Sequence, residues 1–270
     1  LDERLSIAFL REIGRMLRAE ILPGDEEKEE HGPVSLGASG DRTHPIDRKA
    51  EEIVLGFLES SGLPLQVVSE EMGEVELNGG GKTRVVLDPI DGSKNAITGL
   101  PLYSTSIAVS SGDMVRDLEL GYVLNLVSGD EFWAVRGEGS FRNGQRIRAQ
   151  QDGRIRAVLY ETQNPGRDLR RILPLLSGAD RTRCLGSTAL DLCMVASSGA
   201  SLFVNPVPSR SFDYAGGLLI ALEAGAVATD IEGGPVEETT LDMRRGSSLL
   251  VAANREIHEK AVDLLEPELT

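Results

Sequence analysis

Asp88-Pro89-Ile90-Asp91-Gly92-Ser93 sets two carboxylates three positions apart at the end of an apolar run, Val85-Val86-Leu87, and follows them with a Gly-Ser turn. Carboxylates crowded this closely repel one another unless a cation neutralises them, and Mg2+ takes oxygen ligands while keeping waters and substrate phosphate in its shell. The turn offers backbone N–H groups without side-chain obstruction, and a helix opening just after it would aim its positive end at a phosphate. Ser93 adds a hydroxyl. The segment reads as a site for a metal and a phosphate.

Two further stretches extend it. Ser69-Glu70-Glu71 closes a strand pattern that begins at Leu65, and Asp88 closes the next one. Neighbouring strands would therefore deliver Glu70, Asp88 and Asp91 to one sheet edge, where three acids make a cation site. Asp213 stands near the start of Phe212-Asp213-Tyr214-Ala215-Gly216-Gly217. An Asp in that place suits a helix cap as well as a metal, and beside the other acids it is a fourth candidate ligand. Other motifs fall away. Asn78-Gly79-Gly80-Gly81-Lys82-Thr83 ends like a P-loop but has Glu76 where the first Gly belongs, so it reads as a hairpin. Gly137-Glu138-Gly139-Ser140-Phe141-Arg142 lacks the third Gly of a dinucleotide fingerprint and reads as a turn. His31, His44 and His258 are scattered, with no Ser or Cys motif near them, which leaves a histidine-based nucleophilic mechanism unsupported.

The elements that must carry these residues follow from periodicity. Leu5, Phe9, Ile13, Met16, Leu17 and Ile21 recur at helical intervals, which predicts a helix over residues 2–22, stopped by Pro23-Gly24. The acidic run from Asp25 to Glu30 reads as a solvated loop. A second helix is expected from Ala50 to Ser60. Apolar runs at 65–68, 84–87, 104–110, 118–123 and 131–135 follow without intervening helices, hence a mostly antiparallel sheet. Asn143-Gly144 and Asp152-Gly153 then mark a change. Beyond it, strands at 156–160 and 202–205 alternate with helices at 168–177, 188–198 and 212–224. The expectation is an α/β (α+β) protein of two lobes, 1–145 and 146–270, the second supplying Asp213 and substrate contacts.

Composition limits the function. In 270 residues the chain carries 43 acids against 28 basic residues, a net charge of -15, which argues against partners that are nucleic acids or anionic membranes. It also repels phosphate on average, so local cations must reverse the field. No apolar stretch approaches the roughly 20 residues of a membrane span, and the first segment lacks a signal-peptide core. A cytoplasmic protein is expected. Cys184 and Cys193 lack metal-motif spacing and read as reduced packing residues.

Taken together, these motifs resemble the inositol monophosphatase family, within the larger group of Mg2+-dependent, lithium-sensitive phosphatases that includes fructose-1,6-bisphosphatases. The resemblance runs through the Asp47 segment, Glu70-Glu71, the Asp88–Ser93 hexapeptide, Gly186-Ser187-Thr188-Ala189, and the stretch from Asp213 to Glu223-Ala224-Gly225. It implies an alternating α-β-α-β-α sandwich and metals, two or three Mg2+ ions, held by Glu70, Asp88, the Ile90 carbonyl, Asp91 and Asp213. Ser93, where many relatives have Thr, would bind metal or the nucleophilic water, with Asp47 hydrogen-bonded to it. The Gly92 and Ser93 amides would hold the phosphate, and Ser187 and Thr188 would meet the ring or sugar. Inhibition by Li+ and a homodimer are implied too.

The sequence departs from the family where relatives that favour inositol phosphates carry an acid shortly before the Asp213 signature. Here that stretch reads Asn205-Pro206-Val207-Pro208-Ser209-Arg210. Gly37-Ala38-Ser39-Gly40-Asp41 is instead similar to the archaeal-type enzymes that also hydrolyse fructose 1,6-bisphosphate. Arg167, Arg170, Arg171 and Arg210 could then meet a second phosphate, since guanidinium forks suit bidentate contacts; a solvated helix face is the alternative. The expected activity is hydrolysis of a small phosphorylated polyol or sugar by metal-activated water. Two other readings stay open: a 3'(2'),5'-bisphosphate nucleotidase, for which 4% aromatic residues offer no obvious adenine slot, and a regulatory protein that retains the metal site.

Overall fold

A computed structural model of the chain describes residues 2–21, 35–38 and 42–269. Pro23-Gly24, the acidic run from Asp25, His31 and Ser39-Gly40-Asp41 lie outside the described residues. The first helix, α1 (Ile7–Ile21), buries Leu10, Ile13, Leu17 and Ile21 on one stripe. It starts five residues later than the periodicity predicts. The carboxylate of Asp2 captures the Arg4 amide at 2.9 Å, a local turn that competes with helix. Next come the short strands β1 (Ser35–Leu36) and β2 (Arg42–Thr43) and the helix α2 (Pro45–Ser60). Sequence periodicity places the start of α2 at Ala50. Pro45 at the first turn and Asp47, accepting from the His44 amide at 3.0 Å, move it forward.

The large sheet is built from β3 (Leu65–Ser69), β4 (Gly73–Leu77), β5 (Arg84–Asp91), then, after the short helix α3 (Ser93–Thr98), β6 (Ser104–Ser110), β7 (Leu118–Asn125), β8 (Glu131–Val135), β9 (Gly139–Arg142) and β10 (Gln145–Ile147). Its order is β10-β9-β8-β7-β6-β5-β3-β4. Every neighbouring pair is antiparallel except β3 and β5, which run parallel. The expected turn at 137–142 is in fact strand β9 from Gly139 onward. Phe141 stacks on its cross-strand partner Trp133 with ring centroids 4.0 Å apart, and such pairs stabilise a sheet where the local sequence looks like turn. Asn143 and Gly144, both at positive φ, close the hairpin to β10.

The second sheet contains β11 (Ala157–Tyr160), and then, with helices between, α4 (Pro165–Ser177), β12 (Arg181–Arg183), α5 (Thr188–Ala196), β13 (Leu202–Arg210), α6 (Ser211–Glu223), β14 (Val227–Thr229), β15 (Arg245–Ala252) and α7 (Arg255–Leu269). Its order is β12-β11-β13-β15-β14. Helices α1 and α2 cover one face of the large sheet, α5 and α6 fill the space between the sheets, and α4 and α7 cover the far face of the second. The result is the α-β-α-β-α sandwich. One buried cluster joins the layers, from Val86 and Ala108 through Leu190 and Leu218 to Leu202 and Leu250.

Glycine lets α6 lie close to the large sheet. A Cβ on Gly121 of β7 would stand 2.6 Å from the Gly216 carbonyl, and one on Gly216 would stand 2.8 Å from the Ser106 hydroxyl. This close approach carries the first turn of α6, with Asp213, toward the end of β5. Cys193 is buried as expected, whereas Cys184 is exposed, because it follows the edge strand β12 rather than belonging to α5. Among the described residues no helix is long and apolar enough to cross a membrane.

Candidate active site

Parallel pairing of β3 with β5 sets Ser69 opposite Leu87, so Glu70 and Asp88 follow at adjacent positions on one sheet edge. The Glu70-Glu71 corner is clamped from α2. Buried Glu51 accepts a hydrogen bond from the Ser69 hydroxyl and another from the Met72 amide at 3.1 Å. Beyond Asp88 the register with β6 shifts before Asp91 pairs with Ser104. Pro89 has no N–H to give the ladder, and the Ile90 amide turns to the Asp88 carboxylate at 3.0 Å. Gly92 then takes φ 95°, and a Cβ there would stand 2.9 Å from the Gly186 carbonyl and 3.1 Å from that of Leu102. Only glycine fits this turn. Helix α3 opens at Ser93, leaving first-turn N–H groups without intrahelical acceptors.

Asp47 and Asp213 reach the same place from the first turns of α2 and α6. Each also caps its helix: Asp47 accepts from the His44 amide, and Asp213 from the Arg210 amide at 3.1 Å. The mutual approach of the acids shows in their electrostatics. Burial, then Glu70, Asp91, Asp213 and Asp47, hold the Asp88 carboxyl well above the usual carboxylate range. Asp88 is 3% exposed and Asp91 8%. Burial pushes Asp91 up to about 7, against the pull of the Ser187 hydroxyl and Ala189 amide, while Asp213 and Glu161 add to the rise. Burial likewise raises Asp47.

Asp91 is the pivot between the sheets. It accepts from the Ser187 hydroxyl at 2.6 Å, the Ala189 amide at 2.7 Å and the Thr188 amide at 3.2 Å, and so caps α5 from outside that helix. Ser187 is buried and its hydroxyl also lies 3.1 Å from that of Ser104. Thr188 stands one position on, in the first turn of α5. The Ser93 hydroxyl donates to the Ile90 carbonyl at 3.1 Å and lies near enough to Asp47 to lower its pKa. Oδ1 of Asp47 is buried and has no hydrogen-bond partner among the described residues.

Carboxylate and carbonyl oxygens are the donors a hard divalent cation takes. The crowding of ionisable acids around Asp88, and the orphaned oxygen of Asp47, fit a missing positive charge. Among the described residues no three acids are already gathered in coordinating positions. Both Asp91 oxygens instead face α5, and Asp47 and Asp213 each give an oxygen to a backbone amide. Of the proposed ligands, Asp91 would have to turn from the α5 amides, or share its oxygens with them, to hold an ion.

The arginines are placed less favourably for substrate. Arg167 donates to buried Asp168 at 2.7 Å, and Arg171 bonds the Pro206 carbonyl and Glu232, both at 2.9 Å. Arg210 stands over the Phe212 ring at 5.9 Å. Two acids that the sequence reading missed belong to the neighbourhood. Glu161 directly follows β11, as Glu70 follows β3, and that shared position was the available signal. Its amide donates to the Val204 carbonyl at 3.1 Å, beside Asn205, and Lys94 and the Thr162 amide offset the rise that burial imposes on it. Asp191 interrupts an apolar run of α5. It is fully buried, neither oxygen has a hydrogen-bond partner among the described residues, and burial, Glu161 and Asp91 hold it well above the carboxylate range.

Comparison with known proteins identifies the family. Residues 4–269 match the model of the inositol monophosphatase family. The chain is 34% identical over 243 residues to the fructose-1,6-bisphosphatase/inositol-1-monophosphatase of Methanothermobacter thermautotrophicus, covering 86% of each protein. It is 33% identical over 273 residues to the Archaeoglobus fulgidus protein of the same name, covering 98% of this chain and 100% of that one. Among solved structures, that of an inositol monophosphatase-fructose 1,6-bisphosphatase superposes with a TM-score of 0.84 at 27% identity, over 96% of this chain and 98% of the other. With residues 4–269 matched by the family model, the protein belongs to the inositol monophosphatase family.

Proposed function

We propose that this protein is a Mg2+-dependent phosphoric monoester hydrolase acting on small phosphorylated polyols and sugars, inositol 1-phosphate and fructose 1,6-bisphosphate among them. The observation that carries the reading is Asp88, buried at the end of β5 next to Glu70 at the end of β3, with Asp91 three positions on, where burial and then the charges of Glu70, Asp91, Asp213 and Asp47 hold its carboxyl well above the usual range. The family is metal-dependent, and Glu70, Asp88, the Ile90 carbonyl, Asp91 and Asp213 are the groups that would hold the ions. Bound there, Mg2+ supplies positive charge that draws in the phosphate and acidifies a water.

The chain's own residues do the remainder. The Gly92 and Ser93 amides bind phosphate oxygens, which the left-handed turn at Gly92 leaves unobstructed. Glu70 and the Ser93 hydroxyl orient the attacking water. As its oxygen adds to phosphorus and the bond to the alkoxide oxygen breaks, one of its protons passes by way of the Ser93 hydroxyl to the Asp47 carboxylate, and the departing alkoxide takes a proton from a second water, whose hydroxide is neutralised by the proton Asp47 gives up. Glu161, beside Asn205, is placed to grip substrate hydroxyls where β13 offers no acid. Both archaeal relatives are named for two substrates, and the missing acid before Asp213 supports the same breadth.

A phosphate-release panel tests the reading. Inositol 1-phosphate and fructose 1,6-bisphosphate are expected to be hydrolysed with Mg2+ and not in EDTA. Preference for 3'-phosphoadenosine 5'-phosphate would move the assignment to a nucleotidase. No release from any of the three would remove the enzymatic reading.

A further inference from the structure

Lys94 directly follows Ser93 in the first turn of α3, and both of its neighbours are committed elsewhere. The Ser93 hydroxyl lies against the Ile90 carbonyl and Asp47, while the Asn95 amide group donates to the Leu185 carbonyl at 2.7 Å and to that of Leu102 at 2.6 Å. Successive helical side chains stand about 100° apart, so Lys94 occupies the side of the turn between these two. It is exposed there. Its charge still reaches the second sheet: burial raises the Glu161 carboxyl, and Lys94, after the Thr162 amide, draws it back down. Glu161 in turn adds to the rise that burial imposes on Asp91 and Asp191. Lys94 therefore faces the end of β11, with the acids of β5 close by.

An exposed lysine ordinarily serves solubility or a surface ion pair. Among the described residues no carboxylate lies within ion-pair distance of Lys94, whereas Lys49 and Lys260 each hold a glutamate. Glu161 is near enough to feel the ammonium and too far to fix it. Of the arginines considered for a second phosphate, Arg167 is engaged by Asp168 and Arg171 by Glu232. In a chain with a net charge of -15, a substrate that carries a second anionic group needs a fixed cation to offset its repulsion from the acids. An ammonium on a flexible four-carbon stem suits that task. Building on the phosphatase reading above, we propose that Lys94 is a specificity-determining residue that binds a second phosphate of the substrate, opposite Glu161 and apart from the phosphate held at Gly92 and Ser93. A sugar bisphosphate then gains a contact that a polyol monophosphate does not make.

Steady-state kinetics in saturating Mg2+ compare fructose 1,6-bisphosphate with inositol 1-phosphate. Lys94→Gln is expected to raise KM for the bisphosphate at least about tenfold more than KM for the monophosphate, the scale of a lost hydrogen bond to a charged group, with kcat held within about twofold. Lys94→Arg keeps the charge and should stay within about threefold of the native protein on the bisphosphate. The difference between the native protein and Lys94→Gln should narrow in high salt, which screens an exposed charge. Lys94 is exposed, so its replacement leaves the core untouched, and circular dichroism checks this. KM changes of equal size on the two substrates, a loss confined to kcat, an arginine variant as weak as the glutamine one, or native hydrolysis of the monophosphate alone would each overturn the role of Lys94 and leave the phosphatase reading standing. Native hydrolysis of neither substrate would remove that reading and this role with it.

Discussion

Replacing Asp91 by Asn is expected to reduce Mg2+-dependent phosphate release by roughly a hundredfold to a thousandfold or more, the scale on which removal of a single electrostatic element from an active site acts. The variant removes one negative charge from the group that faces both Asp213 and the first turn of α5. An Asn oxygen can still accept from Ser187 and Ala189. Its amide nitrogen then meets the Thr188 N–H, a donor against a donor, at a cost of about 1–3 kcal/mol. That loss is partly returned, because a buried, crowded carboxylate is itself destabilising without its cation. The fold should persist by circular dichroism while turnover disappears. Full Mg2+-dependent turnover by the variant would remove Asp91 from the proposed chemistry.

In the absence of divalent cations, stability should rise as pH is lowered from about 7.5 to about 5, the opposite of the trend for a protein held by salt-bridged carboxylates. The sign follows from the direction of the shifts. Asp88, Asp91, Asp47, Glu161 and Asp191 all have folded-state pKa values above their unfolded ones. The folded state therefore binds protons that the unfolded state has released. This stabilisation is complete below the unfolded pKa and is lost as pH climbs through the folded values, which for Asp91 means up to about 7. Half-buried Asp130, held by the Asn143 amide and by Arg142, shifts downward instead and weakens the fold only at more acidic pH. A change of a few kcal/mol moves the melting temperature of a chain this size by roughly 2–4 °C per kcal/mol. Melting curves in EDTA from pH 5 to 7.5 measure it. Asp88→Asn should flatten the slope and raise the melting temperature at pH 7.5, trading activity for stability. Saturating Mg2+ should flatten it as well, since it stabilises the ionised acids by mass action. A melting temperature that increases steadily with pH in EDTA would show that the acids do not burden the fold.

Much of this site is legible in the sequence because its geometry is local or is set by one strand pairing. Glu70 and Asp88 each follow an apolar run, and once those runs pair in parallel the two acids must stand together. The Gly92 turn and the helix after it are encoded within a few residues, and so is Asp213 in the first turn of α6. Positions fixed by contacts distant in the chain are harder to read. Strand β9 looks like a turn until Trp133 stacks on Phe141, and β4 offers only a short alternating pattern, Gly73-Glu74-Val75-Glu76-Leu77, in which two of five residues are charged. Asp191 sits in a run apolar enough to pass for core, and only the packing of α5 between two sheets reveals an acid buried without hydrogen-bond partners among the described residues. The resemblance gives Ser187 as a contact to the substrate's ring or sugar, and the fold turns its hydroxyl onto Asp91. The two-lobe expectation rested on a change from strands to alternating strands and helices. The sheets do change over between Ile147 and Ala157, and the shared core that fuses them comes from α5 and α6, whose apolar sides on all faces were the sign of burial between two layers.

Anomalous diffraction from crystals soaked in Mn2+, a hard cation that can stand in for Mg2+, tests most directly whether these acids act together. Anomalous density is expected among Glu70, Asp88, Asp91 and Asp213, with the Asp91 carboxylate turned from the α5 amides toward the ion. Mn2+ absent from that edge, in crystals whose protein hydrolyses phosphate monoesters, would contradict a shared metal site.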